Sequence, residues 1–400
     1  MPAKRTAIFN QGQGQQRGAV LMIMLVIMIV GIAAILVNSL SSAALKNARQ
    51  ETTSNALAQA KDALLGRAVS DSNMPGSLPC PDTNDDGSAE LLSGNNCPSY
   101  IGRLPWKTLG LPDLRDGSGE RLWYALSPAF RDDNSAQPLN SNTKGTLLVY
   151  NTDGVSLQTQ AGYNAVAVIF SPGSALGSQT RNTVAQQNSA ANYLDIANGQ
   201  NNSSASGPFI AGTQSATFND QLLYITTKDL IPLVEQRVAG EVKRVLANYY
   251  RDSGCNCYPW ADSVAQSADY DSNYGLNRGW LPNNALPVNW AGTFRPPQWF
   301  FDNEWYKLIY YSVAKNYTEK PVDCYSCIDS ALSVDGVSGV RALFFMPGTP
   351  IGTLVRSVTT LPDYLEDLQN NDDANDLYIT PTSQAQDRDR LYKFSTIWTP

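Results

Sequence analysis

Residues 19–37 read AVLMIMLVIMIVGIAAILV, nineteen consecutive positions without a charge, and no other feature restricts the fold as much. A helical apolar run of this length covers roughly 30 Å of hydrocarbon. Lys4, Arg5 and Arg17 precede it, and positive charge on that flank holds the leading end in the cytoplasm while the rest of the chain crosses. The sequence therefore predicts a membrane-spanning segment at 19–37, with the bulk of the protein on the far side. The run is longer than the roughly 7–15 residues of a cleaved secretory core, and residues 38–43 offer only a loose small-x-small cleavage site behind it. Ahead of it stands Gly18, directly after Arg17.

A short basic, polar leader ending in Gly18, then the small Ala19, then an unbroken apolar helix resembles the class III signal of type IV pilins and type II secretion pseudopilins. The resemblance implies that a prepilin peptidase cuts between Gly18 and Ala19, leaving 1–18 as the leader and Ala19 as an N-methylated terminus. It also implies a location in the bacterial inner membrane, as a single-pass protein with a periplasmic head, and afterwards at a filament tip or the cell surface. Its implied partners are other pilins or pseudopilins, the peptidase and the inner-membrane assembly machinery. The family's usual Glu at the fifth mature position is Ile23 here, which resembles the large tip pseudopilin and some minor pilins. A carboxylate in lipid is tolerable when paired with a neighbour's terminal ammonium. A subunit without it suits a terminal or initiating position, with Ile23 in the docking helix. An uncleaved anchor on a periplasmic domain is the plainer alternative.

Residues 39–69 contain no Pro and one Gly. Leu45, Ala48, Ala56, Leu57, Ala60, Ala63, Leu64 and Ala68 follow a mostly i, i+3, i+4, i+7 pattern. Together with 19–37 they predict one helix of roughly 50 residues, about 75 Å long.

Composition restricts the head. With 16% charged and 42% hydrophobic residues and a net charge of −7 in 400 residues, the chain is globular and mildly acidic, with no basic face for nucleic acid. It has no His, which removes Ser-His-Asp and Cys-His catalysis and HExxH zinc sites. Carboxylate chemistry such as glycoside hydrolysis stays formally open, but no pair of carboxylates is marked as acid and base, and the expectation is a protein that is not an enzyme. In an exported chain, Cys80, Cys97, Cys255, Cys257, Cys324 and Cys327 read as disulfides. Cys80 and Cys97 flank one loop. The other four could bridge between the pairs or within them, and a four-thiolate zinc site is disfavoured by the tight C-x-C spacing.

An internal repeat organises the rest. AVAVIFSPGSALGSQTR (165–181) recurs as VRALFFMPGTPIGTLVR (340–356), so that Pro172, Gly173, Gly177 and Arg181 correspond to Pro347, Gly348, Gly352 and Arg356 at an offset of 175. Weaker echoes pair Gly102-Arg103-Leu104-Pro105 with Gly279-Trp280-Leu281-Pro282, Asp153-Gly154 with Asp335-Gly336, Asn192-Tyr193-Leu194-Asp195 with Asp363-Tyr364-Leu365-Glu366, and Tyr224-Ile225-Thr226 with Tyr378-Ile379-Thr380. A second helix is predicted at 230–250, with Leu233, Val234, Val238, Val242, Val245, Leu246 and Tyr249 on its apolar face. Strands are predicted at 146–150, 165–170, 221–226 and 341–346. The expected fold is α+β: a long membrane-spanning N-terminal helix, then a disulfide-stabilised head of two duplicated pilin-like modules, each a helix packed on a small antiparallel sheet. The modules run 38–228 and 229–400, and 171–220, rich in Ser, Asn, Gln and Gly, reads as a long polar surface insertion.

Asp82, Asn84, Asp86, Ser88 and Glu90, with Gly87 among them, place oxygens at alternate positions, as a loop wrapping calcium does. The twelfth position is Ser93 rather than a bidentate Glu, and a polar turn clamped by Cys80 and Cys97 is the alternative. The aromatic stretch Trp290, Trp299, Phe300, Phe301, Trp305 and Tyr306 reads as core, with a flat contact surface as the alternative. The chain is thus expected to be a minor pilin or pseudopilin that initiates or caps a type IV pilus or type II secretion pseudopilus. A pilus-tip adhesin is the second reading, and a membrane-anchored periplasmic hydrolase a distant third.

Overall fold

The computed structural model describes all residues except 1–15, 133–136, 161, 264–275, 283–293, 319–330, 358, 373–374, 382–388 and 396–400. Its first element, α1 (Gln16–Ser70), is a single helix through both predicted pieces. Charge recurs along it from Lys46 onward, with Arg49, Glu51, Lys61, Asp62 and Arg67, so its charge-free run ends before Lys46. Among the described residues no helix is long and apolar enough to cross a membrane. That finding overturns the membrane-spanning segment at 19–37 and with it the expected single-pass inner-membrane location.

The strands β1 (Ile101–Arg103), β2 (Trp123–Leu126), β3 (Val149–Tyr150) and β4 (Ala165–Ser171) follow, then the short α2 (Val184–Gln187), β5 (Ile196–Ala197), β6 (Gln200–Asn201), β7 (Phe209–Ile210) and β8 (Gln221–Thr226). The second half comprises α3 (Thr227–Asp252), β9 (Arg278–Trp280), α4 (Gln298–Asp302), β10 (Tyr310–Val313), β11 (Leu332–Val334), β12 (Val337–Met346), β13 (Leu377–Tyr378) and β14 (Arg390–Ser395).

One sheet has the order β1-β2-β4-β8, all antiparallel. The other runs β13-β11-β12-β10-β9, with β14 also on β12. The helix followed by β1, β2, β4 and β8 is therefore matched by a helix followed by β9, β10, β12 and β14. Register agrees with this: Trp123 faces Phe170 as Tyr310 faces Phe345, which reproduces the offset of 175 between β4 and β12. The parallel pair β3–β7 likewise has its counterpart in the parallel pair β11–β13.

The expected head, one helix over one small antiparallel sheet twice repeated, is not what the structure shows. The second sheet is six-stranded and mixed, because β11 and β13 run parallel. The two helices also lie side by side. Lys61 of α1 meets Asp229 at the start of α3, and eight residues further along both, Arg237 donates to the carbonyl of Val69. Ala56, Leu57, Ala60, Leu64 and Ala68 of α1 share one buried cluster with Leu230, Val234, Val238, Val242 and Leu246 of α3 and with both sheets. Burying so much apolar area jointly, at about 25 cal/mol per Å², makes the halves one core. Leu233, expected on the buried face of α3, is 39% exposed, and Leu230 and Ile231 point inward in its place.

Residues 171–220 are not an insertion either. Tyr193, Leu194 and Phe209 form a second buried cluster with Trp123, Val168 and Phe170, and the counterpart segment occupies the same place between β12 and β14. Of the aromatic stretch, Trp299, Phe300 and Trp305 are buried in the core; Trp290 lies outside the described residues.

Candidate assembly helix and the polar sites of the head

Gly18, Ala19 and Ile23 all fall in the first turns of α1. Beyond them Met24, Leu25, Ile27, Met28 and Ile29 are 55–68% exposed, while the last turns of the same helix are sealed against the sheet. Contiguous large apolar side chains in water are unfavourable by about 25 cal/mol per Å² and mark a surface that something else covers.

The acidic loop is closed by its own backbone. Asp82, buried at the foot of the loop, accepts the N–H groups of Asn84 at 3.0 Å, Asp85 at 2.7 Å and Gly87 at 2.7 Å. Burial pushes its pKa up, against the pull of those three donors. Asn84 accepts the N–H of Asp86, Asp86 that of Ser88, and Glu90 turns back to the N–H and hydroxyl of Thr83. Asp86, at the surface, has its pKa lowered chiefly by the Ser88 N–H. Gly87, at φ +86°, lies under the Trp106 indole, where a Cβ would meet ring nitrogen at 2.5 Å. Asp85, outside the alternating set, is ion-paired to Arg103 and Arg121, each at 2.8 Å. Among the described residues no three His, Cys, Asp or Glu side chains are grouped so as to hold a metal. As placed, Asp82, Asp86 and Glu90 each accept N–H groups of the loop itself rather than grouping around a cation.

Cys80 and Cys97 are disulfide-bonded across this loop, with Cα atoms 5.5 Å apart. Closing a loop with a sequence separation of 17 restricts the unfolded chain by about 3 kcal/mol. The double variant Cys80→Ser/Cys97→Ser should lose about that much stability in denaturant unfolding; a loss below about 1 kcal/mol would show that the loop is held by Asp82 and Asp85 alone. Cys255 and Cys257 pair with each other, Cα to Cα 5.1 Å, which decides for that pair what spacing left open. Cys324 and Cys327 lie outside the described residues.

The repeated arginines have a common task. Arg181 donates through Nε to the carbonyl of Asn192 and through Nη1 to that of Gly173, with its guanidinium 4.0 Å from the Tyr193 ring centre. Arg356 does the same with Asp363, Gly348 and Tyr364, at 5.1 Å. Each folds a long connection back over its sheet through charge-assisted bonds and a cation–π contact. The buried Arg103 also lies over Tyr193, 4.6 Å from the ring centre; the equivalent Trp280 packs edge-on to Tyr364.

Three buried carboxyl groups escape a reading of the sequence. Asp220, 3% exposed, accepts the Asp195 N–H at 2.8 Å and the Asn202 amide at 2.9 Å on one oxygen, while its other oxygen is buried with no hydrogen-bond partner. Burial, with the neighbouring Asp195 charge, pushes its pKa up to about 8. Asp195 is also raised by burial, against its hydrogen bonds from Asn219 and Gln179 and the charge of Arg181. Such a pair resembles an acid and a base, but burial on this scale keeps a substrate from both groups, and the arrangement is structural. The second half repeats it: Asp389 accepts the Glu366 N–H, and Asn370 clamps Ile379 as Asn202 clamps Ile210. The Tyr-Leu echo ends at Asp195 and Glu366, yet only strand register identifies Asp220 and Asp389. Glu235, fully buried on α3, joins the halves by accepting from Ser141 and from Arg390 at 2.9 Å; burial raises its pKa, against the pull of Ser141 and the charges of Arg390 and Arg356.

Comparison with protein-family models, with curated proteins and with solved structures returns no match.

Proposed function

We propose that this chain is a structural subunit of minor pilin or pseudopilin type, which begins or ends a pilus or secretion filament by packing the first turns of α1 against those of other subunits. The observation that carries the reading is the division of one continuous helix: Ala60, Leu64 and Ala68 are fully buried, whereas Met24, Leu25, Ile27, Met28 and Ile29 stand bare. A helix–helix seam is the simplest cover for such a stripe. The leader-like order of Arg17, Gly18 and Ala19 supports processing before Ala19, and Ile23 in place of an acid supports a position with a neighbour on one side only. The burial of Asp195 and Asp220, 6% and 3% exposed, favours structure over catalysis.

The test is mass spectrometry of the mature protein from cells with and without the prepilin peptidase. The expected terminus is a methylated Ala19 in the first and an uncut leader in the second. An identical uncut terminus in both would overturn the proposal.

A further inference from the structure

A cavity of about 310 Å³ lies where α1 meets the head, between its exposed Lys46 and Arg49 and the turns around Ser118, Ser174 and Ser215. The two cations are one helical turn apart and so project to the same side. Neither makes an ion pair or side-chain hydrogen bond among the described residues. The one carboxylate that lines the cavity among the described residues, Asp116, is 3% exposed and turns its oxygens to four other donors, the N–H groups of Ser118, Glu120 and Gly173 and the Ser171 hydroxyl, rather than to either cation. The larger cleft between the halves, about 900 Å³, lacks this property, because its Arg131 and Lys144 already donate to the carbonyls of Asn95, Pro128 and Leu354.

We propose that the smaller cavity binds a carboxylate-bearing segment of a partner polypeptide, with Lys46 and Arg49 taking the acid group and the side chains of Ser118, Ser174 and Gln214 in the wall taking the adjoining backbone. Charge-assisted bonds to two uncommitted cations are the strong contacts such a site can offer. A bare phosphate fits less well, since the N–H groups of Gly117, Ser118 and Gly173, which could otherwise cradle it, are taken by Thr53 and Asp116. A sugar would lack a stacking partner, as no aromatic side chain among the described residues lines the cavity. Such binding does not depend on the assembly reading.

The probe is a capped tetraglutamate peptide, titrated calorimetrically into the full chain at low salt. Saturable binding is expected, weakened about tenfold or more in Lys46→Gln/Arg49→Gln as two charge-assisted bonds are lost, and tightened in Gln214→Lys, which adds a cation to the rim. The gain in the last variant cannot arise from misfolding. Absence of saturable binding, or an unchanged affinity in the double variant, overturns the proposal. Equal competition by inorganic phosphate overturns the assignment to a peptide.

Discussion

Asp220→Asn should raise the stability of the protein at and above neutral pH and flatten its fall between about pH 4 and pH 8. The folded carboxyl holds its proton up to about pH 8, against a value of 3.8 for the free group. Between those values the folded chain binds a proton that the unfolded chain has released, so stability declines as pH rises. A tenfold difference in proton affinity between the two states is worth roughly 1.36 kcal/mol, and the loss across the whole window amounts to several kcal/mol. Asp195, beside it, and Glu235, at the junction of the halves, are raised in the same direction and add to the slope. Arg181 is the charge that opposes it. Carboxylates held low by their partners, such as Asp71 and Asp113, act with the opposite sign and below pH 4, leaving the two windows separate. Asn keeps an oxygen for the Asp195 N–H and the Asn202 amide and carries no charge to desolvate. Urea unfolding midpoints at pH 5, 7 and 8.5 are the measurement. The native and variant curves should diverge with pH, and parallel curves would place the slope elsewhere.

Periodicity carries the helices and the central strands because their burial is one-sided or complete. The predicted 221–226 coincides with β8 and 165–170 lies within β4, both bounded by turn residues. The edge strand β14 escapes it. Its RLYKFS mixes charge with half-buried Leu391, Tyr392 and Phe394, and the echo of Tyr224-Ile225-Thr226 falls instead on Tyr378-Ile379-Thr380. Register shows why that alignment fails. Tyr378 sits in β13, parallel to β11, where the first half has Ile210 in β7, and Leu222 corresponds to Leu391, since they face the equivalent Phe170 and Phe345. The same register pairs Leu122 with Ile309, because Leu104 and Leu281 donate to their carbonyls. Polar composition misleads over 171–220. Its Ser, Asn and Gln residues supply turns, caps and clamps such as Asn202, while a few apolar residues, Tyr193 and Phe209 among them, anchor it. The membrane placement rests on hydropathy over 19–37 and on the positive flank of Lys4, Arg5 and Arg17, and neither says whether lipid or protein covers an apolar stripe. Of the polar sites, the repeated Gly-Arg pattern is legible as a repeat, but its clamping role needs Tyr193 and Tyr364 to be brought beneath it by the fold.

Gly279→Ala should be among the most damaging single substitutions in the molecule. Gly279 sits in β9 at φ +150°, a conformation that L side chains rarely adopt, and a Cβ there would fall far inside van der Waals contact with the Asp262 carbonyl oxygen. That carbonyl accepts the Trp280 N–H at 2.9 Å, and the Asp262 N–H returns the bond to the Trp280 carbonyl at 2.8 Å. A side chain would therefore force apart the pairing that seats Trp280 against Tyr310 and Tyr364. Overpacking typically costs about 1–3 kcal/mol and unfavourable backbone about 1–3 more, so a loss of about 2–6 kcal/mol is expected. Gly102→Ala repeats the experiment in the first half, where the Cβ would lie 2.5 Å from the Asp82 carbonyl oxygen. Its φ is not positive, and the smaller penalty should be of overpacking alone. Gly240→Ala supplies the control, because that glycine lies within α3 with no atom within 4 Å of an added Cβ, and Ala there should add about 0.5–1 kcal/mol through helix propensity. Denaturant midpoints of the three variants should rank Gly240→Ala above the native chain, Gly102→Ala below it and Gly279→Ala lowest. A Gly279→Ala protein that unfolds with the native midpoint would mean that β9 and the Asp262 segment do not approach so closely, and that the Gly-x-Leu-Pro echo marks a turn rather than a backbone contact.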